Sequence, residues 1–140
     1  MITIAEAENE IIEEFDLFDD WMDKYNYIIE LGKTLPLIDP QYKDEQHLIP
    51  GCQSQVWLHA EFTDGKLIFR ADSDAIITKG IINLLIRVLS GHTPQEIVDA
   101  PLSYIDQIGL KDHLSPTRSN GLVSMIEQIR NYAKESINLG

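Results

Sequence analysis

Cysteine is scarce in this chain, which has only Cys52 among its 140 residues. A single thiol cannot close a disulfide within the chain. It also cannot supply the several thiolates that hold a structural zinc ion or an iron–sulfur cluster. The remaining roles for Cys52 are burial as a small apolar side chain or chemistry at an accessible thiol.

Basic residues and long apolar runs are also scarce. The chain has 11 Lys and Arg against 23 Asp and Glu, a formal net charge of -12. Because proteins neutralise phosphate backbones with Lys and Arg, nucleic acid is not expected as a partner. Residues 1–6 lack the basic and long apolar regions of a signal peptide, and no apolar run has the length of a transmembrane helix. We therefore expect no membrane partner and a location in the reducing cytoplasm.

The length and composition indicate one globular domain spanning residues 1–140. The hydrophobic content of 44% and the charged content of 24% are ordinary for a globular protein. A chain of this length buries enough surface to form its own core. We find no internal repeat and no low-complexity linker that would divide it.

The first fifty residues predict two helices followed by an irregular segment. Thr3 and Glu6 have the spacing of a capping box, which predicts a helix over residues 4–15. Acidic caps and helical spacing of apolar residues predict a second helix over residues 19–32. Prolines interrupt residues 34–50, so that segment is expected to be a loop that leads to the cysteine.

The middle of the chain predicts a β-hairpin. Polar and apolar residues alternate over residues 53–62 and again over 67–72, and Asp64-Gly65 between them is a strong hairpin turn. Because an isolated hairpin is marginally stable, a third strand is expected around residues 47–49. The apolar face predicted for the first strand comprises Val56, Leu58, Ala60 and Phe62.

The second half of the chain predicts helices. Ser73 or Asp74 is expected to cap a central, largely buried helix that follows the hairpin. Three more helices are predicted to begin at Thr93-Pro94, Ser103 and Ser115-Pro116. The order of elements predicts an α+β fold in which several helices pack against a small antiparallel sheet.

Cys52 is the first candidate functional residue. It follows the Pro50-Gly51 turn signal and precedes a strand, which places the thiol at the rim of the fold. A reactive thiol needs a positive neighbour, a helix N-terminus or a base, and the adjacent residues are neutral. One hypothesis is therefore a cysteine-dependent hydrolase in which Cys52 pairs with a distant histidine. The available histidines are His47, His59, His92 and His113.

Arg118 is the second candidate. Ser115 and Pro116 are explained as the start of a helix, but a cation in the first turn opposes the helix dipole. The placement suggests that Arg118 serves something outside its own helix.

Residues 50–57, Pro-Gly-Cys-Gln-Ser-Gln-Val-Trp, resemble the signature of the SufE family. Further blocks at 27–32, 71–80 and 113–122 resemble the family in the same order along the chain. By this resemblance the chain is identified as a member of the SufE family, sulfur-acceptor proteins that work with cysteine desulfurases in iron–sulfur cluster assembly.

The resemblance implies a specific role for each candidate residue. Cys52 would accept sulfur from a PLP-dependent cysteine desulfurase of the SufS or CsdA type, hold it as a persulfide and pass it to a scaffold complex of the SufBCD type. Gly51 and Gln53 would position the loop or contact the partner, and Arg118 would help to dock the desulfurase. The chain would be an accessory protein with no cofactor and no metal of its own.

The resemblance also implies a fold, and it raises a second alternative function, that of a cluster scaffold. The fold would be SufE/IscU-like, with the cysteine at a loop tip beside a hydrophobic cavity and able to turn inward or outward. Cluster scaffolds share that fold, but they hold metal through several cysteines and this chain has one. The scaffold hypothesis is therefore weaker than the sulfur-carrier hypothesis.

Overall fold

The helices surround a small sheet and one central helix. The computed structural model describes residues 2–52 and 54–139. The helices are α1 (Ile4–Asp16), α2 (Trp21–Gly32), α3 (Ile76–Leu89), α4 (Pro94–Asp99), α5 (Tyr104–Gln107), α6 (Leu110–His113) and α7 (Pro116–Leu139). Short 3₁₀ turns at Pro40–Tyr42 and Glu45–His47 lie in the loop that follows α2. The predicted α+β class is confirmed, and α6 is an additional element that the sequence patterns did not indicate.

The sheet within the described residues is the predicted hairpin. β1 (Val56–Thr63) pairs antiparallel with β2 (Lys66–Ser73). Asp64 and Gly65 both have positive φ, at 54° and 80°, as the tight turn of a two-residue hairpin requires. Phe62 is the exception to the predicted apolar face, because it lies near the hairpin end and is 55% exposed.

The third strand expected around residues 47–49 is reduced to a single bridge. Leu48 pairs with Trp57, and the Ile49 amide donates to the Val56 carbonyl at 2.8 Å. The pairing ends there because Pro50 has no amide hydrogen to donate and Gly51 turns the chain away with φ +86°. The segment therefore covers the edge of β1 without extending the sheet.

Helix α3 is the centre of the core, as its continuous apolar pattern predicts. Eleven of its fourteen residues are buried. It packs against α1, α2, α7 and β2. Its contact with α2 is close enough that a Cβ at Gly80 would lie 1.9 Å from the Ile28 carbonyl oxygen.

The cap expected for α3 is different in the structure. Ala75 occupies the cap position, and no side chain there bonds to the first turn. Asp74 instead accepts a hydrogen bond from the Gln55 amide at 3.1 Å, and the Ser73 hydroxyl donates to the Gln55 carbonyl at 2.8 Å. These side chains fix the start of β1, because both bond to Gln55, the residue just before that strand.

No helix in residues 2–52 and 54–139 combines the length and the apolar character needed to cross a lipid bilayer.

Candidate functional site

The thiol loop comprises residues 50–52, 54 and 55, and the structure holds it at both ends. On one side Ile49 bonds to Val56, and on the other Gln55 is bonded to Ser73 and Asp74. Cys52 therefore lies in a short connection between two anchored points. Such an arrangement limits the positions of the thiol without burying its backbone in the sheet.

Gly51 is required at its position for two reasons. Its φ of +86° is in the left-handed region, where a Cβ is unfavourable. A Cβ built there would also lie 2.5 Å from the Ser124 hydroxyl oxygen of α7. The glycine thus lets the loop turn tightly while it passes close to the last helix.

The thiol of Cys52 points inward in the free protein. The residue is half-buried and packs against the hydrophobic core. Its Sγ–H donates a long hydrogen bond of 3.7 Å to the Gly121 carbonyl oxygen in α7. Burial raises the pKa of the Cys52 thiol, because a charged thiolate is poorly solvated there. The geometry favours a protonated, resting thiol.

Cys52 borders a cavity of about 60 Å³. One water needs roughly 10–15 Å³ of such space, so the cavity has room for an additional sulfur atom beside the thiol. Ile81 and Met125 form apolar parts of its wall, while Thr78 and Thr117 carry hydroxyl groups. The remaining lining residues are Ser54, Arg118 and Gly121.

Arg118 lies at the same cavity, although it is 66 positions from Cys52 along the chain. Its backbone amide donates to the Ser115 hydroxyl at 3.3 Å, which agrees with the predicted start of the helix at Ser115-Pro116. Its exposed guanidinium donates to the Tyr25 hydroxyl at 3.4 Å. The fold therefore brings a cation to the rim of the thiol cavity.

Two aromatic residues of α2 support the segment that carries Arg118. Tyr25 accepts its hydrogen bond, and Trp21 stacks on His113 with ring centroids 4.2 Å apart. Both aromatics are partly buried and pack against the core from its edge. Their contacts with residues 113–118 had no sequence signal, because they join segments about ninety residues apart.

The structure brings together three of the four expected site residues. Cys52 and Arg118 line one cavity, whereas Gly51 lines a neighbouring pocket that it shares with Cys52. Gln53 lies outside the described residues. Their roles in partner contact or chemistry stay predictions.

No histidine in the described part of the chain lines the cavity or bonds to Cys52 Sγ. His113 bonds to the Gly109 carbonyl, His47 to Asp44, and His59 stacks on Tyr42. The Cys–His pair of the hydrolase hypothesis has no geometric support.

The fold and the site define a class of protein: a small α+β protein whose lone thiol rests on a loop beside a cavity, with an arginine at the rim. Residues 9–133 match the SufE family, described as an Fe-S metabolism associated domain, and the chain belongs to that family. The family resemblance recognised in residues 50–57 is confirmed.

Curated relatives agree with this assignment. The chain is 40% identical over 132 residues to an uncharacterized SufE-like protein of Rhizobium meliloti, covering 90% of this chain and 94% of the relative. It is 41% identical over 133 residues to one of Rhizobium etli, covering 90% and 88%. The solution structure of a hypothetical protein from Thermus thermophilus has the same fold, with a TM-score of 0.78, 19% identity and 99% of both chains covered.

Proposed function

We propose that the protein is a sulfur carrier that accepts persulfide sulfur on Cys52 from a cysteine desulfurase. Membership in a family of Fe-S metabolism indicates a sulfur-transfer role. The observation that carries the proposal is the lone thiol beside a cavity with room for one more sulfur atom. The desulfurase would bring the PLP, and this chain would bring the acceptor.

The proposed transfer needs no external oxidant or reductant. The Cys52 thiolate attacks the outer sulfur of the donor's cysteine persulfide. A new S–S bond forms at Cys52 while the donor's S–S bond breaks, and the donor cysteine leaves as a thiolate. The proton that Cys52 loses balances the one that the donor thiolate gains. One thiol suffices, whereas reductive release of sulfide would need a second.

The resting geometry implies that the partner activates the thiol. In the free protein, burial raises the pKa of the Cys52 thiol, and its hydrogen-bond partner is a carbonyl oxygen, which stabilises the S–H form. Docking of the desulfurase would draw Cys52 away from Gly121 into a more polar setting. After transfer, the loop would return the persulfide to the cavity, where solvent and oxidants reach it less easily.

Arg118 is proposed to contact the desulfurase at the rim of the cavity. Its guanidinium is exposed and is oriented by Tyr25 rather than by a carboxylate, so its charge is not neutralised by an ion pair within the described residues. From the cavity the sulfur would pass to a scaffold complex of the SufBCD type. The proposed location of this relay is the reducing cytoplasm, where the thiol would stay available.

The decisive experiment is an intact-mass measurement. The protein is incubated with a PLP-dependent cysteine desulfurase and cysteine, and the intact mass of the protein is then measured by mass spectrometry in the absence of reductant. The wild type should gain one sulfur atom, and Cys52→Ser should gain none. The proposal fails if the wild type gains no sulfur or if Cys52→Ser gains as much.

A second experiment tests the docking role of Arg118. Arg118→Ala should weaken stimulation of the desulfurase while leaving thermal unfolding unchanged. Arg70→Ala is the matched control, because Arg70 is an exposed arginine on β2 that does not line the cavity. If Arg118→Ala stimulates the desulfurase as well as the wild type does, Arg118 does not contribute to docking.

A further inference from the structure

A second cleft, on a part of the molecule that the sulfur-transfer site does not use, lies between the start of α1 and α4. It has a volume of about 400 Å³, within the range of small-molecule sites. Neither Cys52 nor Arg118 lines it. Its lining residues are Thr3, Ile4, Ala5, Glu8, Gln95, Glu96, Asp99, Ala100 and Pro101.

Glu8 is the unusual residue of this cleft. It lies on the buried side of α1 and is only 7% exposed. Its Oε1 atom is buried and has no hydrogen-bond partner among the described residues. Buried carboxylates are normally paired or hydrogen-bonded, because leaving one unpaired costs most of its lost hydration. A carboxyl group that borders a cleft and lacks an internal partner indicates a partner from outside.

The rest of the cleft is acidic as well. Glu96 and Asp99 add two carboxyl groups, and none of the described lining residues is Lys, Arg or His. Thr93 completes a capping box with Glu96, whose pKa is held below its ordinary value mainly by the Thr93 amide. Asp99 accepts from the Gln95 side chain with one oxygen. Each of these two groups therefore keeps acceptor capacity for a ligand.

The walls of the cleft select the kind of cation. Ile4, Ala5, Ala100 and Pro101 supply apolar surface beside the carboxyl groups. In the described residues, no three His, Cys, Asp or Glu side chains converge in the way that a metal ion requires. A charged head on a short aliphatic stem matches both features, since the head meets the carboxylates and the stem covers the apolar wall.

We propose that the Glu8 cleft binds an organic cation, an alkylammonium or alkylguanidinium group, with Glu8 as its buried counter-ion. Two sources share this chemistry: a Lys or Arg side chain of a protein and a free polyamine. The site is independent of sulfur transfer, so its failure would leave the proposed function intact.

The test is an NMR titration of the full chain at constant ionic strength, which removes general screening of the acidic surface. The probes are N-acetyl-arginine amide and N-acetyl-lysine amide for protein side chains, and spermidine for free polyamines. N-acetyl-citrulline amide is the neutral control and Mg²⁺ the inorganic one. Saturable shifts of the amides of residues 3–8 and 95–100 are expected with at least one organic cation, and the responding probe identifies the source.

Two variants decide whether Glu8 is the counter-ion. Glu8→Gln should weaken binding by about tenfold or more, the size expected for a lost charge-assisted hydrogen bond. Glu13→Gln, which changes an exposed residue of the same helix, should bind the cation as the wild type does.

Two results would overturn the proposal. One is the absence of saturable shifts with every organic cation. The other is equal binding by Mg²⁺ or by the citrulline amide, which would mean that no ammonium or guanidinium head is recognised.

Discussion

The junction of the first three helices and the thiol site are built in opposite ways. At the junction, α2 and α3 touch so closely that Gly80 has no room for a Cβ beside the Ile28 carbonyl. At the thiol site, a cavity of about 60 Å³ is left open, and the sulfur makes one long hydrogen bond to Gly121. Close packing without spare volume gives one unique structure, whereas a neighbouring cavity and a long hydrogen bond restrain the thiol more weakly.

The polar contacts show the same contrast. At the helix junction, Arg87 donates to both carboxylate oxygens of Glu14, at 2.8 and 2.7 Å, and Tyr27 donates to the same carboxylate. At the thiol site, the guanidinium of Arg118 donates a hydrogen bond of 3.4 Å to the Tyr25 hydroxyl. The bidentate ion pair together with Tyr27 ties three helices to one another, whereas the guanidinium of Arg118 is held by a single long hydrogen bond within the described residues.

The largest expected effect comes from adding a methyl group at the helix junction. Gly80→Ala gains roughly 1 kcal/mol of helix propensity, but its Cβ meets a backbone oxygen that cannot turn aside. We expect the free energy of unfolding to fall by about 3 kcal/mol in urea denaturation. Gly32→Ala, whose Cβ would meet its nearest neighbours at 3.0 Å, should cost less. Wild-type stability of Gly80→Ala would show that α2 and α3 can separate freely.

The next largest effect is expected from the ion pair. Glu14→Gln should lower the free energy of unfolding at neutral pH by about 2 kcal/mol, as for a hydrogen bond to a charged group. The Arg87 side chain, bonded to both oxygens, holds the pKa of Glu14 below its ordinary 4.5. A depressed pKa stabilises the fold above the unfolded value, and that stability is lost as the pH falls through the folded value.

Urea denaturation of wild type and Glu14→Gln across pH 3 to 7 measures this dependence. The difference between the two proteins should be full at neutral pH and should shrink below about 4.5. Glu13→Gln, one position earlier and exposed, should show little difference at any pH. A difference between wild type and Glu14→Gln that stays constant down to pH 3 would mean that the pair does not perturb the carboxyl group.

The contrast also separates what the sequence could predict from what it could not. The hairpin and most helices follow from local patterns, and the turn at Asp64-Gly65 and the helix start at Thr93-Pro94 are in the structure as expected. Cys52 was identified because a rare residue followed a turn signal. The family assignment rested on a run of residues that is contiguous in sequence.

Contacts between distant segments were beyond sequence reasoning. Asp74 was expected to cap a helix, but it bonds to Gln55, because the antiparallel register brings the two together. Tyr25 could not be linked to Arg118 until the fold placed them side by side. The third strand was wrong in extent because the local alternation did not reveal the 3₁₀ turn that precedes Leu48.

A smaller effect is expected at the turn of the thiol loop. Gly51→Ala should lower the free energy of unfolding by about 1–2 kcal/mol, the cost of a left-handed conformation for a residue with a Cβ. The clash with the Ser124 hydroxyl adds to that cost. The double variant Gly51→Ala, Ser124→Ala should regain the stability that is lost to the clash, but not the stability that is lost to backbone strain. If the single variant is as stable as the wild type, the loop is looser than its geometry indicates.

The smallest effect on stability, and the sharpest contrast with Glu14, is expected for the thiol itself. Burial raises the pKa of Cys52 above its ordinary 9.0, so the rate of alkylation by iodoacetamide should rise with pH around a midpoint above that value. In urea the midpoint should return to the ordinary value.

The pH dependence of stability that comes from Cys52 is opposite in sign to that from Glu14. The contribution of Cys52 to stability is present below the pKa of the unfolded chain and is lost as the pH rises through the pKa of the folded protein. Binding of the desulfurase should move the midpoint downward. A midpoint at or below 9.0 in the free protein would mean that the thiol is already activated and that the inward position is not a resting state.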